Sequence, residues 1–145
     1  MYWDEGVPAN GYKVLSSGVT TQTFLASNLN AGTTYSFQVA SRNIFGLSLV
    51  SNTVTILSAF KPAQPIAPVT TIKNNTVEVT WVAPSANGSP LTSYTVKFST
   101  STGSFLTELA SCDGSNSVVF NAAKCTIPLN TLTSAPFNLV LGAGI

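Results

Sequence analysis

Charge is what this sequence has least of. Its 145 residues include six Lys+Arg, five Asp+Glu and no histidine, 8% charged in all, where ordinary globular domains carry about a quarter. A net charge of +1 with Arg42 as the only arginine leaves no basic stripe to neutralise phosphates, so no nucleic-acid partner is expected. Without histidine, catalytic triads and most general acid–base schemes lose their usual base. Cysteine is scarce too: Cys112 and Cys125 are the only two, with no CxxC spacing, so no metal site is expected. No glycine-rich phosphate loop opens a helical pattern, and no cofactor is expected. The one adjacent carboxylate pair, Asp4-Glu5, reads as a solvated turn at a strand end; a glycosidase site needs two carboxylates across a cleft. No catalytic residue is nominated, and the chain reads as non-enzymatic.

Long apolar runs are also missing. The longest, residues 137–145, is about half of the ~20 residues a membrane-crossing helix needs, so no membrane insertion is expected within this segment. The start, Met1-Tyr2-Trp3-Asp4-Glu5, is acidic where a secretory leader would be positive and is followed by no apolar core, so it does not read as a leader.

Hydroxyls and amides take the place of charge. Ser and Thr make up 37 residues and Asn 12, and threonine suits strand faces while the strong helix formers are few. Period-2 alternation recurs. Tyr35, Phe37 and Val39 share one face against Ser36 and Gln38; Val77, Val79 and Trp81 oppose Glu78 and Thr80; Tyr94, Val96 and Phe98 oppose Thr95 and Lys97. Each run predicts a half-buried strand of an antiparallel sheet. No stretch of eleven or more residues has a clear helical period. Turn signals at Asn10-Gly11 (a type I′ hairpin), Ala31-Gly32, Asn43 to Gly46 and Asn87 to Pro90 separate the runs, as in an all-β sandwich. Residues 59–68, with Pro62, Pro65 and Pro68, form the expected joint between two segments.

Cys112 and Cys125 read as a disulfide, worth about 3 kcal/mol by loop entropy and persisting in oxidising compartments. Two buried thiols are the alternative, but the loop between them is rich in Gly, Ser and Asn and offers little core. Asn74-Asn75-Thr76 and Asn87-Gly88-Ser89 fit the N-glycosylation sequon, with plain turn residues as the alternative at each. Trp3 and Trp81 lie within alternating runs and read as core residues in preference to a sugar platform.

The run Leu29-Asn30-Ala31-Gly32-Thr33-Thr34-Tyr35-Ser36-Phe37-Gln38-Val39, continuing through Asn43 and Gly46 to Ser51, resembles the end of a fibronectin type III domain, with Ala31 where that family often has proline. The resemblance implies a tyrosine corner, in which Tyr35 packs its ring against Leu29 while its hydroxyl bonds upstream backbone. Pro65 to Pro68, Trp81 at the centre of the core, and Leu91 to Val96 with Tyr94 resemble the beginning of the same family. On that resemblance the chain is an immunoglobulin-like sandwich protein holding two partial domains in tandem: 1–58 (strands C to G), the joint 59–68, and 69–145 (strands A to E). It further implies a structural module of a tandem-repeat fibre outside the cell or at its surface, associating with itself or with neighbouring repeats and open to covalent glycans. The alternative is an adhesion or receptor ectodomain that binds a protein or glycan through its loops.

Overall fold

Strand-forming residues dominate wherever the chain alternates, and in a computed structural model of the protein, which describes residues 1–140, those runs set the architecture. The chain divides into two units: Met1–Pro62 with Ala86–Pro90, and Ala63–Ser85 with the residues from Leu91 onward. Among the described residues every strand pair is antiparallel and helices are short, so the fold is all-β.

In the first unit, β1 (Tyr2–Trp3), β2 (Lys13–Val14), β3 (Thr34–Gln38) and β6 (Val54–Leu57) form one sheet in the order β2-β1-β3-β6. β4 (Arg42–Asn43) and β5 (Gly46–Leu47) make a separate hairpin with Ile44 and Phe45 at its tip. Residues directly opposite one another in a sheet share a face. Trp3 pairs with Phe37, Phe37 with Val54, and Tyr35 with Ile56, so these five side chains line one face. Tyr2, Val14 and Gln38 lie on the other. Tyr35 is buried, Trp3 and Phe37 are half-buried, and Val54 and Ile56 remain 55% and 54% exposed.

Asn10-Gly11 does not form the expected two-residue turn. Pro8–Asn10 is a single 3₁₀ turn, with proline supplying the fixed φ at its start, and Gly11 alone takes a positive φ of 68°. Val39, expected in the core, is 52% exposed. It lies just past the end of β3, on the wall of an open cleft, where the ladder no longer sets its side.

In the second unit, β7 (Val69–Lys73), β8 (Thr76–Thr80) and β11 (Lys124–Pro128) form a sheet in the order β11-β8-β7. β9 (Phe98–Ser99) pairs with β10 (Phe105–Leu106). α1 (Ser117–Ala122) and α2 (Leu129–Thr133) are one turn or slightly more, too short to register as a helical period, and Asn116 caps α1 by accepting the Val118 N–H at 2.9 Å. Val77 pairs with Ile127 and Val79 with Cys125, and all four are buried on one face. Over them pack Phe98, Cys112, Leu132 and Phe137, with Trp81, Val96 and Val119 around the rim. The opposite face is polar: Glu78 on the middle strand accepts from Lys73 Nζ at 2.9 Å and from Lys124 Nζ at 3.2 Å.

The strand expected through Tyr94, Val96 and Phe98 is shortened to Phe98–Ser99. Burial still alternates through it, but a ladder needs a neighbour. Before Phe98 no strand among the described residues pairs with it, and the Tyr94 N–H donates instead to the Gly114 carbonyl at 3.1 Å. No helix among the described residues is long and apolar enough to cross a membrane. The end of the apolar stretch 137–145, residues 141–145, lies outside the described residues.

Candidate functional site

The first unit holds a corner built around Tyr35. Its ring stacks on Trp3 at a centroid distance of 5.7 Å and 13° between planes, and Phe37 lies 6.5 Å from both rings. The Tyr35 hydroxyl accepts the Asn30 backbone N–H at 2.9 Å, and Leu29 beside it is half-buried. The bond pins the chain five residues upstream of the strand that carries the ring.

Asp4, which composition alone presents as a solvated turn residue, closes the other side of this corner and is only 2% exposed. Its Oδ1 accepts the Ser36 N–H at 3.0 Å and the Gly6 N–H at 2.9 Å, and its own N–H donates to the Ser36 carbonyl at 3.2 Å. The carboxylate thereby continues the β1–β3 ladder by one step. The Ser36 backbone N–H, chiefly, and then the Ser36 side chain and the Gly6 N–H hold the Asp4 carboxyl below its ordinary value of 3.8 against the opposing effect of burial. Oδ2 has no partner among the described residues. The sequence signal for this role is Asp-x-Gly at a strand end, the pattern of an Asx turn. Only Glu5 behaves as the expected solvated residue, exposed and paired with Lys13.

Below the opposite face of this sheet is an open cleft of about 1130 Å³, lined by Tyr2, Val14, Val19, Phe24 and the β4–β5 hairpin. Among the described residues, Arg42 and Tyr2 are the only ionisable side chains on its wall, and no carboxylate or thiol lines it. Such a lining suits contact with apolar or hydroxyl-bearing groups. At the hairpin tip Ile44 and Phe45 are 93% and 91% exposed. Two large apolar residues between the turn formers Asn43 and Gly46 are the sequence signal for that tip, and period-2 reasoning passes over it.

In the second unit Cys112 and Cys125 form a disulfide with Cα atoms 5.1 Å apart. The cysteines are both bonded and buried, at 1% and 4% exposure. The loop between them hides them because it contains α1 and folds back on β11. Glu108 Oε1 and Oε2 accept the Ala110 and Ser111 N–H groups at 2.9 Å and fix the chain just ahead of Cys112. Asp113, just after it, is held below its usual value of 3.8 by the Ser115 hydroxyl and then by the Ser115 N–H. Trp81 follows β8 and is half-buried, edge-on to Tyr94 at 5.2 Å, and Tyr94 in turn lies 5.4 Å from Phe120. Trp81 is thus at the rim of the core, where the resemblance placed it at the centre, because its strand ends one residue earlier.

The two sequons differ. Asn74 is exposed at the β7–β8 turn with a φ of 53°. Asn87 is half-buried, and its Nδ2 donates to the Lys61 carbonyl at 2.8 Å. Among the described residues no group of three or more His, Cys, Asp or Glu side chains is placed to hold a metal ion. No protein-family model matches the chain.

Proposed function

We propose that this chain is a non-enzymatic structural segment of a fibronectin type III-like tandem-repeat protein, acting as a fibre or filament element outside the cell or at its surface. The observation that carries the reading is the pair of strand orders. β2-β1-β3-β6 has the neighbour relations of the C′-C-F-G layer of an immunoglobulin-like sandwich, and β11-β8-β7 has those of the E-B-A layer. The Tyr35 hydroxyl bond to Asn30 supports the assignment of β3 to strand F. The Cys112–Cys125 bond supports an oxidising compartment. Val54 and Ile56, each about half exposed on the Tyr35 side of the sheet, leave apolar surface for a neighbouring repeat or second subunit to cover, and low charge removes the self-repulsion that opposes association. Electron microscopy of the purified protein tests this: extended multi-subunit particles are expected, and dispersed monomers at every concentration overturn it.

A second reading, an adhesion or receptor ectodomain, is favoured by one observation, the exposed Ile44-Phe45 tip. Loops and hairpins on a rigid sheet suit partner recognition. Replacing both tip residues with serine and finding partner binding lost while assembly persists would select this reading over the fibre.

A further inference from the structure

The two sequons are equivalent as strings, and the fold makes them unequal. Asn74 occupies the two-residue connection between β7 and β8, where Lys73 pairs with Thr76. Its neighbours bear the structural duties of that turn. The Asn75 carbonyl accepts the Leu129 N–H at 2.9 Å, and the Thr76 hydroxyl donates to the Lys73 carbonyl at 2.9 Å. The Asn74 side chain carries none of them; it is exposed, and its positive φ is one that asparagine tolerates.

Asn87 is held through both its side chain and its backbone. Nδ2 donates to the Lys61 carbonyl, and its own carbonyl accepts the Phe60 N–H at 3.0 Å. Gly88 next to it takes a φ of 94° and is pressed so closely on Gly32 that an added Cβ would collide with the Gly32 nitrogen and stand 2.9 Å from the Ser58 carbonyl. Asn87 and Gly88 therefore fasten residues 86–90 within the first unit. A sugar on Nδ2 would replace one of its two hydrogens at a half-buried position and force that fastening open.

We propose that Asn74 is the N-glycan acceptor of this chain and that Asn87 is a structural turn residue that the fold keeps free of sugar. The proposal rests on the extracellular reading above. In the modification, Asn74 Nδ2 bonds to the anomeric carbon of an oligosaccharide as that carbon's bond to the diphosphate of a polyprenyl donor breaks. The amide gives up one proton, and the lipid diphosphate leaves. The glycan then projects from the end of the three-stranded sheet, beside its polar Lys73–Glu78–Lys124 face, adding a hydrated group to a surface poor in charge.

The test is expression of the 145-residue chain through a eukaryotic secretory pathway, with intact mass and glycopeptide mapping before and after enzymatic removal of N-glycans. Three further chains carry Asn74→Gln, Ser89→Ala and Asn87→Gln; Ser89→Ala abolishes the second sequon without touching the Asn87 contacts. The expected result is one glycan per chain on the Asn74 peptide, lost in Asn74→Gln and unchanged in Ser89→Ala. Asn87→Gln should secrete in lower yield, with its glycan still on Asn74. A secreted, disulfide-bonded chain with Asn74 bare, or with sugar on Asn87, overturns the site and leaves the extracellular reading standing. A chain retained inside the cell with both thiols free overturns that reading and the site with it.

Discussion

At the scale of single residues, buried hydrogen bonds decide more than charge does. Asp4→Ala leaves the Ser36 and Gly6 N–H groups without their acceptor in a buried site, and at about 1–3 kcal/mol for each orphaned group the change is expected to cost about 3 kcal/mol of first-unit stability. Urea unfolding followed by Trp3 fluorescence measures it; a loss below ~0.5 kcal/mol would show that Asp4 is not a clamp. Tyr35→Phe keeps the ring and orphans the Asn30 N–H, so about 1 kcal/mol is expected by the same measurement. The carboxyls of Asp4, Glu78 and Asp113 all titrate below their ordinary values of 3.8, 4.5 and 3.8, Glu78 because Lys73 and then Lys124 bond it. A group with a depressed folded-state pKa stabilises the fold fully above its unfolded value and loses that stabilisation as pH falls through the folded one. The urea midpoint should therefore be flat from about pH 5 to 8 and fall steadily below about pH 4, and Glu78→Gln should shallow that fall. Tyr35 and Phe37 were legible as inward-facing residues from alternation alone. Asp4 was not, because its burial depends on Ser36, 32 positions away, supplying the N–H it accepts.

At the scale of elements, alternation reads best where two neighbours flank a strand. β8 lies between β7 and β11, and its Val77 and Val79 are buried as the pattern implies. The run through Tyr94 has the same pattern and only a fragment of ladder, since side-chain spacing says which face is inward and nothing about whether a partner strand is at hand. The helices α1 and α2 escaped for a different reason: at six and five residues they are shorter than the span over which a 3.6 period declares itself. The disulfide joins the α1 loop to β11. Replacing both cysteines with serine is expected to cost the second unit about 3 kcal/mol, read as a lowered melting transition by calorimetry. Ile127→Ala, at a fully buried position paired with Val77, should cost about 3–4 kcal/mol in the same assay.

At the scale of the molecule, composition points to a proline-rich joint at 59–68, and one of the boundaries between the two units lies between Pro62 and Ala63. The grouping of Ala86–Pro90 with the first unit was not legible from composition, because it rests on Asn87 and Gly88 meeting residues about 26 to 56 positions earlier. The central claim is that the Val54–Ile56 side of the first sheet is an assembly face. Burying the exposed halves of those two side chains would contribute about 1 kcal/mol each to such an association. Sedimentation velocity of the 145-residue chain, beside a Val54→Ser/Ile56→Ser variant, measures this most directly. Concentration-dependent species larger than a monomer are expected for the native sequence, shifting toward monomer in the variant. A native chain that sediments as a single monomer at all concentrations, or a variant that associates just as strongly, would contradict it.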